Sequence, residues 1–258
     1  MEENTNQTLR RLWDGYAEAG YDKADLTHST KHLRKTMANL FANYSGGDTA
    51  LNHVVDVIDI GCGTGGMFPT IIDKINPTNL FAVDHSEKML ARAKRRAETF
   101  RDDGIGNINF VFSQFDLTKP FPWSNDTFDV AVSNLVICYL PGGWEAPLKE
   151  LCRVVKPGGW LYLSTFVNTW TLSKALSSFG LKEFVRAPVG TLWGIKLWRF
   201  VSGIEKEVKK LGAEYPQSSK LITCLDESSF KIVETKPVYF GFGLAIAAQK
   251  QPQVNTTA

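Results

Sequence analysis

The stretch that decides the fold of this chain is VVDVIDIGCGTGG, residues 54–66. Its first half, residues 54–60, is dense in β-branched residues, which predicts a buried parallel strand. In the second half, Gly61, Gly63 and Gly66 keep the G-x-G-x-x-G spacing of turns that bind a cofactor between a strand and a helix. Glycine lets the backbone approach a ligand closely and adopt angles closed to other residues. We therefore predict a cofactor site at this turn.

Strand and helix patterns alternate after this stretch. Apolar runs predict further strands at residues 79–84, 108–112, 127–134, 160–166, 230–234 and 243–248. A helix is predicted over residues 86–100 with Ser86 as its N-cap, and the sequence KPGG at residues 156–159 predicts a turn into the fifth strand. The alternation predicts an α/β fold: a doubly wound, mostly parallel, seven-stranded, Rossmann-like sheet.

The pattern outside the strands suggests one core with additions. Residues 1–52 are predicted to form an N-terminal helical cap of two helices broken near Gly20, and residues 53–168 the core. Residues 169–225, rich in Trp, Phe and Leu, are predicted to be a helical insertion that covers an acceptor. Residues 226–248 would supply the closing strands, and residues 249–258 a disordered tail.

Charge and cysteine usage exclude several classes of protein. The 29 basic and 27 acidic residues give a net charge of +2, too little for a broad surface that binds nucleic acid. The four cysteines are widely spaced and form neither a zinc motif nor a redox pair. The start of the chain is polar and no stretch resembles a membrane span. We expect a cytoplasmic protein without a metal or a nucleic-acid partner.

The glycine turn alone fits either a nicotinamide cofactor or S-adenosylmethionine (SAM). Asp84 lies at the distance expected for an acid that binds ribose. Asp59 favours SAM, because a carboxylate beside the turn would repel a pyrophosphate and attract the ammonium of a methionine moiety. Asp116, between two apolar residues, is suited to accept a hydrogen bond from an adenine amino group. No tyrosine has a lysine four residues on, so the acid pair of short-chain dehydrogenases is missing. An NAD-dependent oxidoreductase stays the alternative.

Five ordered motifs carry a resemblance to a known family. They are residues 57–65, residues 83–86, Met89 with Leu90, residues 128–130 and residues 153–159. Together they resemble the class I SAM-dependent methyltransferases, in particular the type 11 group that includes ubiquinone and menaquinone biosynthesis enzymes. The resemblance covers about residues 54–166.

The resemblance implies roles for individual residues. Asp59, Gly61, Cys62, Gly63 and Gly65 would hold the methionine end of SAM, and Asp84 the ribose hydroxyls. Phe115, Asp116 and Leu117 would hold the adenine, with Met89 nearby, and Asn134 and Leu135 would line the sulfonium and acceptor side. His85 is either a neighbour stacked on the adenine or an exposed residue at a helix start.

The acceptor is predicted to be a small apolar or aromatic metabolite, because the insertion is rich in aromatic residues. If the acceptor must lose a proton, Tyr21 and His32 are the predicted catalytic residues, with Tyr16 and His28 as further candidates. Residues 193–200 could form an amphipathic peripheral contact with a membrane. A relative that binds SAM without turnover is a second alternative.

Overall fold

The structure is a computed structural model, and it describes residues 2–19, 28–44, 55–102, 108–167, 203 and 205–252. The strands are β1 (Asp56–Ile60), β2 (Asn79–Asp84), β3 (Asn109–Gln114), β4 (Phe128–Asn134), β5 (Val155–Phe166), β6 (Phe230–Val238) and β7 (Gly243–Lys250). The helices are α1 (Glu2–Ala19), α2 (His28–Tyr44), α3 (Phe68–Ile75), α4 (Glu87–Asp102), α5 (Glu145–Val154) and α6 (Ser218–Glu227). Residues 205–210 are also helical, and short 3-10 turns span Ile137–Tyr139 and Tyr239–Gly241.

The seven strands form one sheet in the order β3-β2-β1-β4-β5-β7-β6. Neighbours from β3 to β5 are parallel, whereas β7 runs antiparallel to both β5 and β6. This confirms the predicted doubly wound, mostly parallel sheet. Because the carboxyl ends of β1, β2 and β4 meet at one edge, the loops that follow them form a single crevice.

Helices cover both faces of the sheet. On one face, α2, α3 and α4 pack on Val57, Leu80 and Val132. On the other, α5 and α6 pack on Ile58 and Ala131. The alternation of side chains along β1 produces this division, since successive residues of a strand point to opposite faces.

The two N-terminal helices have different places. Helix α2 buries Leu33, Met37 and Phe41 in the same cluster as the sheet, so it belongs to the core rather than to a cap. Helix α1 instead packs Leu9 and Tyr16 in a separate cluster with Tyr139 and Phe166, near the carboxyl ends of β4 and β5. Only α1 therefore caps the crevice within the described part of residues 1–52.

Three segments differ from the sequence prediction in their role in the fold. The KPGG stretch is no turn before β5 but lies inside it, at a register shift against β4, where Lys156 forms an ion pair with Asp129 at 2.9 Å. Helix α6 packs in the core with α5, although residues up to 225 were predicted to form a lid. Strand β7 extends to Lys250, whose Nζ donates to the Val155 carbonyl at 2.6 Å. The ion pair of Lys156 and the hydrogen bond of Lys250 thus hold in the sheet two polar segments that the sequence predicted to be a turn and a tail. Residues 168–202 and 253–258 lie outside the described residues.

Candidate functional site

The glycine turn after β1 is built on positive φ angles. Gly61, Gly63 and Gly65 have φ values of 68°, 56° and 76°. The N–H groups of Gly61 and Cys62 both donate to the Val83 carbonyl, at 2.7 and 2.9 Å. A Cβ on Gly61 would overlap the side chain of Val136. The turn thus needs glycine both for its angles and for the close approach of the β4 loop.

Asp84, the last residue of β2, fastens this turn to the start of α4. Its Oδ2 accepts the Gly63 N–H at 2.8 Å, and its Oδ1 accepts the Ser86 N–H at 2.8 Å. Burial raises the pKa of the Asp84 carboxyl, and these backbone hydrogen bonds act in the opposite direction. A carboxylate has about four lone-pair positions, so Asp84 can still accept from a diol.

Asp59 is a buried carboxylate with an unused acceptor. Its residue is 1% exposed, and Oδ2 has no hydrogen-bond partner among the described residues. Burial, followed by the charge of Asp84, raises the pKa of Asp59 to about 7. The neighbouring Cys62 thiol is also buried, which raises its pKa well above the ordinary value. The site therefore offers an acidic group that a cation would stabilise in its charged form.

The segment after β3 is already occupied by α1. Asp116 Oδ1 accepts from the Thr118 N–H at 3.0 Å and the Thr118 hydroxyl at 2.7 Å, and Oδ2 accepts from Asn6 Nδ2 at 2.6 Å. His85 Nε2 lies 3.0 Å from the Asn6 carbonyl oxygen, so this ring contacts α1 rather than bulk solvent alone. Asn6 presents an amide NH₂ to Asp116 where an adenine amino group was predicted.

The apolar neighbours of Asp116 lie on the other side of the segment. Phe115 packs edge-on against Phe121 and Trp123, with ring centroids 5.9 and 6.0 Å apart. Leu117 is buried in the same cluster, which includes β1 and β4 residues. Both side chains therefore stiffen the loop that carries Asp116.

The loop after β4 holds a strained backbone. Leu135 has a φ of 57°, a left-handed angle that is uncommon outside glycine and that often marks functional sites. Its N–H donates to the Ser164 carbonyl at 2.9 Å, and Asn134 Oδ1 accepts from the Ser164 hydroxyl at 2.7 Å. Ser164 of β5 thus fixes both residues, and it was not singled out in the sequence.

Aromatic rings surround the carboxyl ends of β4 and β5. The group, named here the aromatic cluster, comprises Trp13, Tyr16, Tyr139, Phe166, Tyr215 and Tyr239. The predicted cofactor residue Met89 is buried in the same region. Burial raises the pKa of both Tyr139 and Tyr215, and for Tyr215 the charge of Glu205 and a hydrogen bond with it act in the same direction, so neither phenol is suited to act as a base.

The predicted catalytic residues are not brought to this crevice by the described part of the chain. His32 is exposed beside Glu234 and Lys236 of β6, in a cavity of about 260 Å³. Strand β6 is four strands from β1, which corresponds to about 19 Å at the usual strand spacing. Tyr21 and the side chain of His28 lie outside the described residues. Both catalytic assignments stay predictions.

Several residues of the site left no signal in the sequence. Asn6 and Asp14 reach the crevice only because α1 folds over it; Asp14 Oδ1 accepts from the Ser86 hydroxyl at 2.5 Å. Ser133 is different, because a serine in the apolar strand β4 is visible in the sequence; its buried hydroxyl has no partner among the described residues. A polar residue in such a strand could have been noted as a candidate.

Metal-binding and membrane-spanning features are absent from the described residues. They contain no group of three or more His, Cys, Asp or Glu side chains placed to hold a metal ion. No helix in that part of the chain has the length and apolar character of a membrane span. The amphipathic stretch predicted at residues 193–200 lies outside it.

Comparison with known proteins agrees with the geometry. Residues 57–159 match a family model described as a methyltransferase domain. The chain is 31% identical over 137 residues to a malonyl-[acyl-carrier protein] O-methyltransferase of Marinomonas sp., covering 52% of this chain and 47% of that protein. It thus spans about half the length of this relative. It is 27% identical over 229 residues to a demethylmenaquinone methyltransferase of Leptospira interrogans, covering 87% of this chain and 82% of that protein.

Solved structures share the fold. A magnesium protoporphyrin IX methyltransferase from Synechocystis, crystallised with bound SAH, superposes with a TM-score of 0.61. The superposition covers 96% of this chain and 100% of that one at 17% sequence identity. At this identity the likeness establishes the architecture alone.

Proposed function

We propose that this chain, whose residues 57–159 match a methyltransferase domain, is a class I SAM-dependent methyltransferase that transfers the methyl group of SAM to a small apolar or aromatic metabolite. The observation that carries the proposal is that the buried carboxylate oxygen Oδ2 of Asp59 has no partner among the described residues. The residue lies next to the glycine turn at the carboxyl edge of the sheet. An ammonium group would satisfy that oxygen and favour the ionised carboxylate.

The chain's own residues account for donor binding. The Gly61–Gly63 backbone allows close approach of the methionine end, Asp59 binds its ammonium, and Asp84 accepts from the ribose hydroxyls. Bound SAM supplies a methyl group that is already activated as part of a sulfonium. The protein then has to align the acceptor and exclude water, and α1 with the aromatic cluster performs both tasks.

The sheet order also supports SAM over a dinucleotide. Parallel dinucleotide-binding sheets have the order 3-2-1-4-5-6. Here the antiparallel β7 lies between β5 and β6. Asp59 also favours SAM, because the carboxylate would repel a negatively charged pyrophosphate but attract an ammonium group.

An apolar or aromatic acceptor is supported by the aromatic cluster, which lies where β4 and β5 end. One relative, whose alignment covers 87% of this chain, is named a demethylmenaquinone methyltransferase, and demethylmenaquinone is an aromatic quinone derivative. We propose that the predicted lid, without its residues 218–225 that belong to α6, covers this acceptor, and that residues 193–200 make peripheral membrane contact. We also propose that the protein works in the cytoplasm without a metal or nucleic acid.

The proton chemistry is part of the proposal. The buried phenols of Tyr139 and Tyr215 are poor bases, since their pKa values are raised. Tyr139 can orient a hydroxyl or carbonyl of the acceptor by donating a hydrogen bond, whereas the Tyr215 hydroxyl is already hydrogen-bonded to Glu205. Tyr21 stays the proposed base, and unchanged turnover of a Tyr21→Phe variant would remove it. His32, beside β6 and about 19 Å from β1, is not placed to act as a base in this crevice.

The first experiment is calorimetric titration of SAM, of its demethylated product SAH and of NADH into the full chain. We expect SAM and SAH to bind, and the Asp84→Ala variant to lose about 100-fold in affinity because two charge-assisted hydrogen bonds disappear. The control is Asp73→Ala, which removes an exposed carboxylate of α3. Binding of NADH in preference to SAM would revive the oxidoreductase alternative.

Turnover is tested separately. Protein that binds SAM is incubated with methyl-labelled donor and a panel of hydroquinones and phenols, and the label in the organic phase is counted. Transfer that depends on Asp84 supports the enzyme. Tight SAM binding without label transfer to any of these acceptors would overturn the apolar or aromatic acceptor and favour the non-catalytic relative.

A further inference from the structure

A second cavity lies beside the glycine turn, on the side of α4. Its volume is about 290 Å³, and Thr64, Arg92, Arg95 and Arg96 line it. This is just under the range of about 300–1,000 Å³ typical of small-molecule sites. None of these four residues has a role in donor binding as proposed above.

The arginines share one face of α4. Residues three and four apart on a helix are neighbours, so Arg92, Arg95 and Arg96 present their guanidinium groups together. Arg34 of α2 approaches from the other side, because its Nη2 would lie 2.5 Å from a Cβ built on Gly66. Arg96 Nη1 lies 3.8 Å from the same position, so side chains of α2 and α4 meet beside the turn.

Thr64 supplies the observation that points to a ligand. The residue is 1% exposed, it lines the cavity, and its Oγ1 has no hydrogen-bond partner among the described residues. A buried hydroxyl without a partner costs free energy, so such groups are rare unless a ligand or water satisfies them. The hydroxyl can donate to an anion that the arginines attract.

We propose that this cavity is a binding site for a phosphate group, separate from the methyl-donor site. Guanidinium groups match phosphate oxygens in a planar, bidentate geometry, and several of them suit a dianion. Glu98 lies three residues after Arg95 on the same helix, but no ion pair joins them within the described residues, so this carboxylate does not take the place of a phosphate at Arg95. The phosphate is carried by a free phosphate ester or by a lipid headgroup, and the shared group is what the cavity recognises.

The test uses the full chain and inorganic phosphate, titrated by calorimetry against chloride at equal ionic strength. We expect one phosphate to bind, and Arg95→Gln to weaken the binding about tenfold by removing a charge-assisted contact. Thr64→Val keeps the shape of the side chain but removes the hydroxyl, and we expect it to weaken binding without loss of thermal stability. The control Lys94→Gln removes a neighbouring charge that lies over the Phe112 ring instead.

Three results would overturn the proposal. Phosphate could bind no better than chloride, or Lys94→Gln could weaken binding as much as Arg95→Gln, which would indicate diffuse charge. Alternatively, Arg95→Gln could weaken SAM by the same factor as phosphate, which would assign the arginines to the donor carboxylate. The two proposals can fail independently. Failure of SAM to bind would contradict the methyltransferase function, whereas failure of phosphate to bind would contradict only the phosphate site.

The source of the phosphate is found with two further probes. One is glycerol 3-phosphate in solution, and the other is sedimentation with phosphatidylcholine vesicles with or without phosphatidic acid. Competition by glycerol 3-phosphate supports a soluble ester. Sedimentation that needs phosphatidic acid and Arg95 supports a lipid headgroup.

Discussion

The two acidic residues predicted to hold opposite ends of the donor differ in their present partners. Asp59 is buried with an oxygen that no described residue contacts, whereas both oxygens of Asp116 accept hydrogen bonds, one of them from Asn6 of α1. The methionine end of the site is thus ready for a cation, and the adenine end has to exchange a partner. Donor binding should gain an ion pair at one end and replace a hydrogen bond at the other.

The largest effect should follow from removing the charge of Asp59. With a pKa of about 7 in the folded state and 3.8 as the ordinary value, the folded protein keeps a proton that the unfolded chain loses between pH 4 and pH 7. Stability therefore falls as the pH rises through this window and stays low above it, by up to about 4 kcal/mol from this residue. We expect Asp59→Asn to flatten this dependence in urea unfolding measured from pH 4 to pH 8.

The same variant should bind SAM more weakly, by about 2–3 kcal/mol, because a charge-assisted hydrogen bond is lost. Stability and affinity then move in opposite directions at pH 8, which a merely structural residue would not produce. The control is Asp73→Asn on the surface of α3, which should change neither. If the wild type kept its stability between pH 4 and pH 7 as Asp59→Asn does, the idea of an unpartnered acid would fail.

A smaller loss is expected from Gly61→Ala. The left-handed angle alone costs about 1–2 kcal/mol, and the overlap with Val136 adds to it. In the double variant Gly61→Ala, Val136→Ala the overlap is relieved but the backbone angle is not. The free energy of unfolding, measured with denaturant, should therefore recover only in part. Gly15→Ala is the matched control, because nothing lies within 4 Å of its Cβ and alanine favours the helix by about 0.5–1 kcal/mol. Full recovery in the double variant would show that the backbone angle is unimportant.

Asn6→Ala tests the occupied end. Removing the amide frees Asp116 Oδ2, so SAM no longer has to displace a bond worth about 1 kcal/mol, and its affinity should rise about fivefold. Calorimetry measures the gain, and Gln7→Ala, an exposed neighbour on α1, provides the control. Weaker binding in Asn6→Ala would mean that Asn6 itself contacts the donor.

The smallest signal is the proton released on binding. Near pH 6 the Asp59 carboxyl is mostly protonated, and an ammonium partner would lower its pKa. SAM binding should then release close to one proton, seen as a heat that varies with the ionisation enthalpy of the buffer. Asp59→Asn should release none. Equal release in both proteins would assign the proton to another group.

Much of this site could be predicted from short stretches of sequence. The glycine turn, the acid at the end of β2 and the positions of the strands along the chain follow from local patterns, because a buried strand, a glycine turn and a helix are encoded by consecutive residues. Helix α6 and the KPGG stretch show the limit, because they have the local appearance of a lid and a turn. Packing on α5 keeps α6 in the core, and the Lys156–Asp129 ion pair holds the KPGG stretch within β5.

The sequence by itself determined the doubly wound α/β class and the position of the glycine turn with Asp59 and Asp84, because these depend on residue types next to each other in the chain. Only the tertiary structure decided that Asn6 donates a hydrogen bond to Asp116 and that Ser164 accepts one from Leu135, whose φ angle is left-handed. It also decided that arginines of α4 line a cavity together with Thr64. These contacts join residues far apart in the chain. Their partners are chosen by how helices pack on the sheet, and no local pattern records that choice.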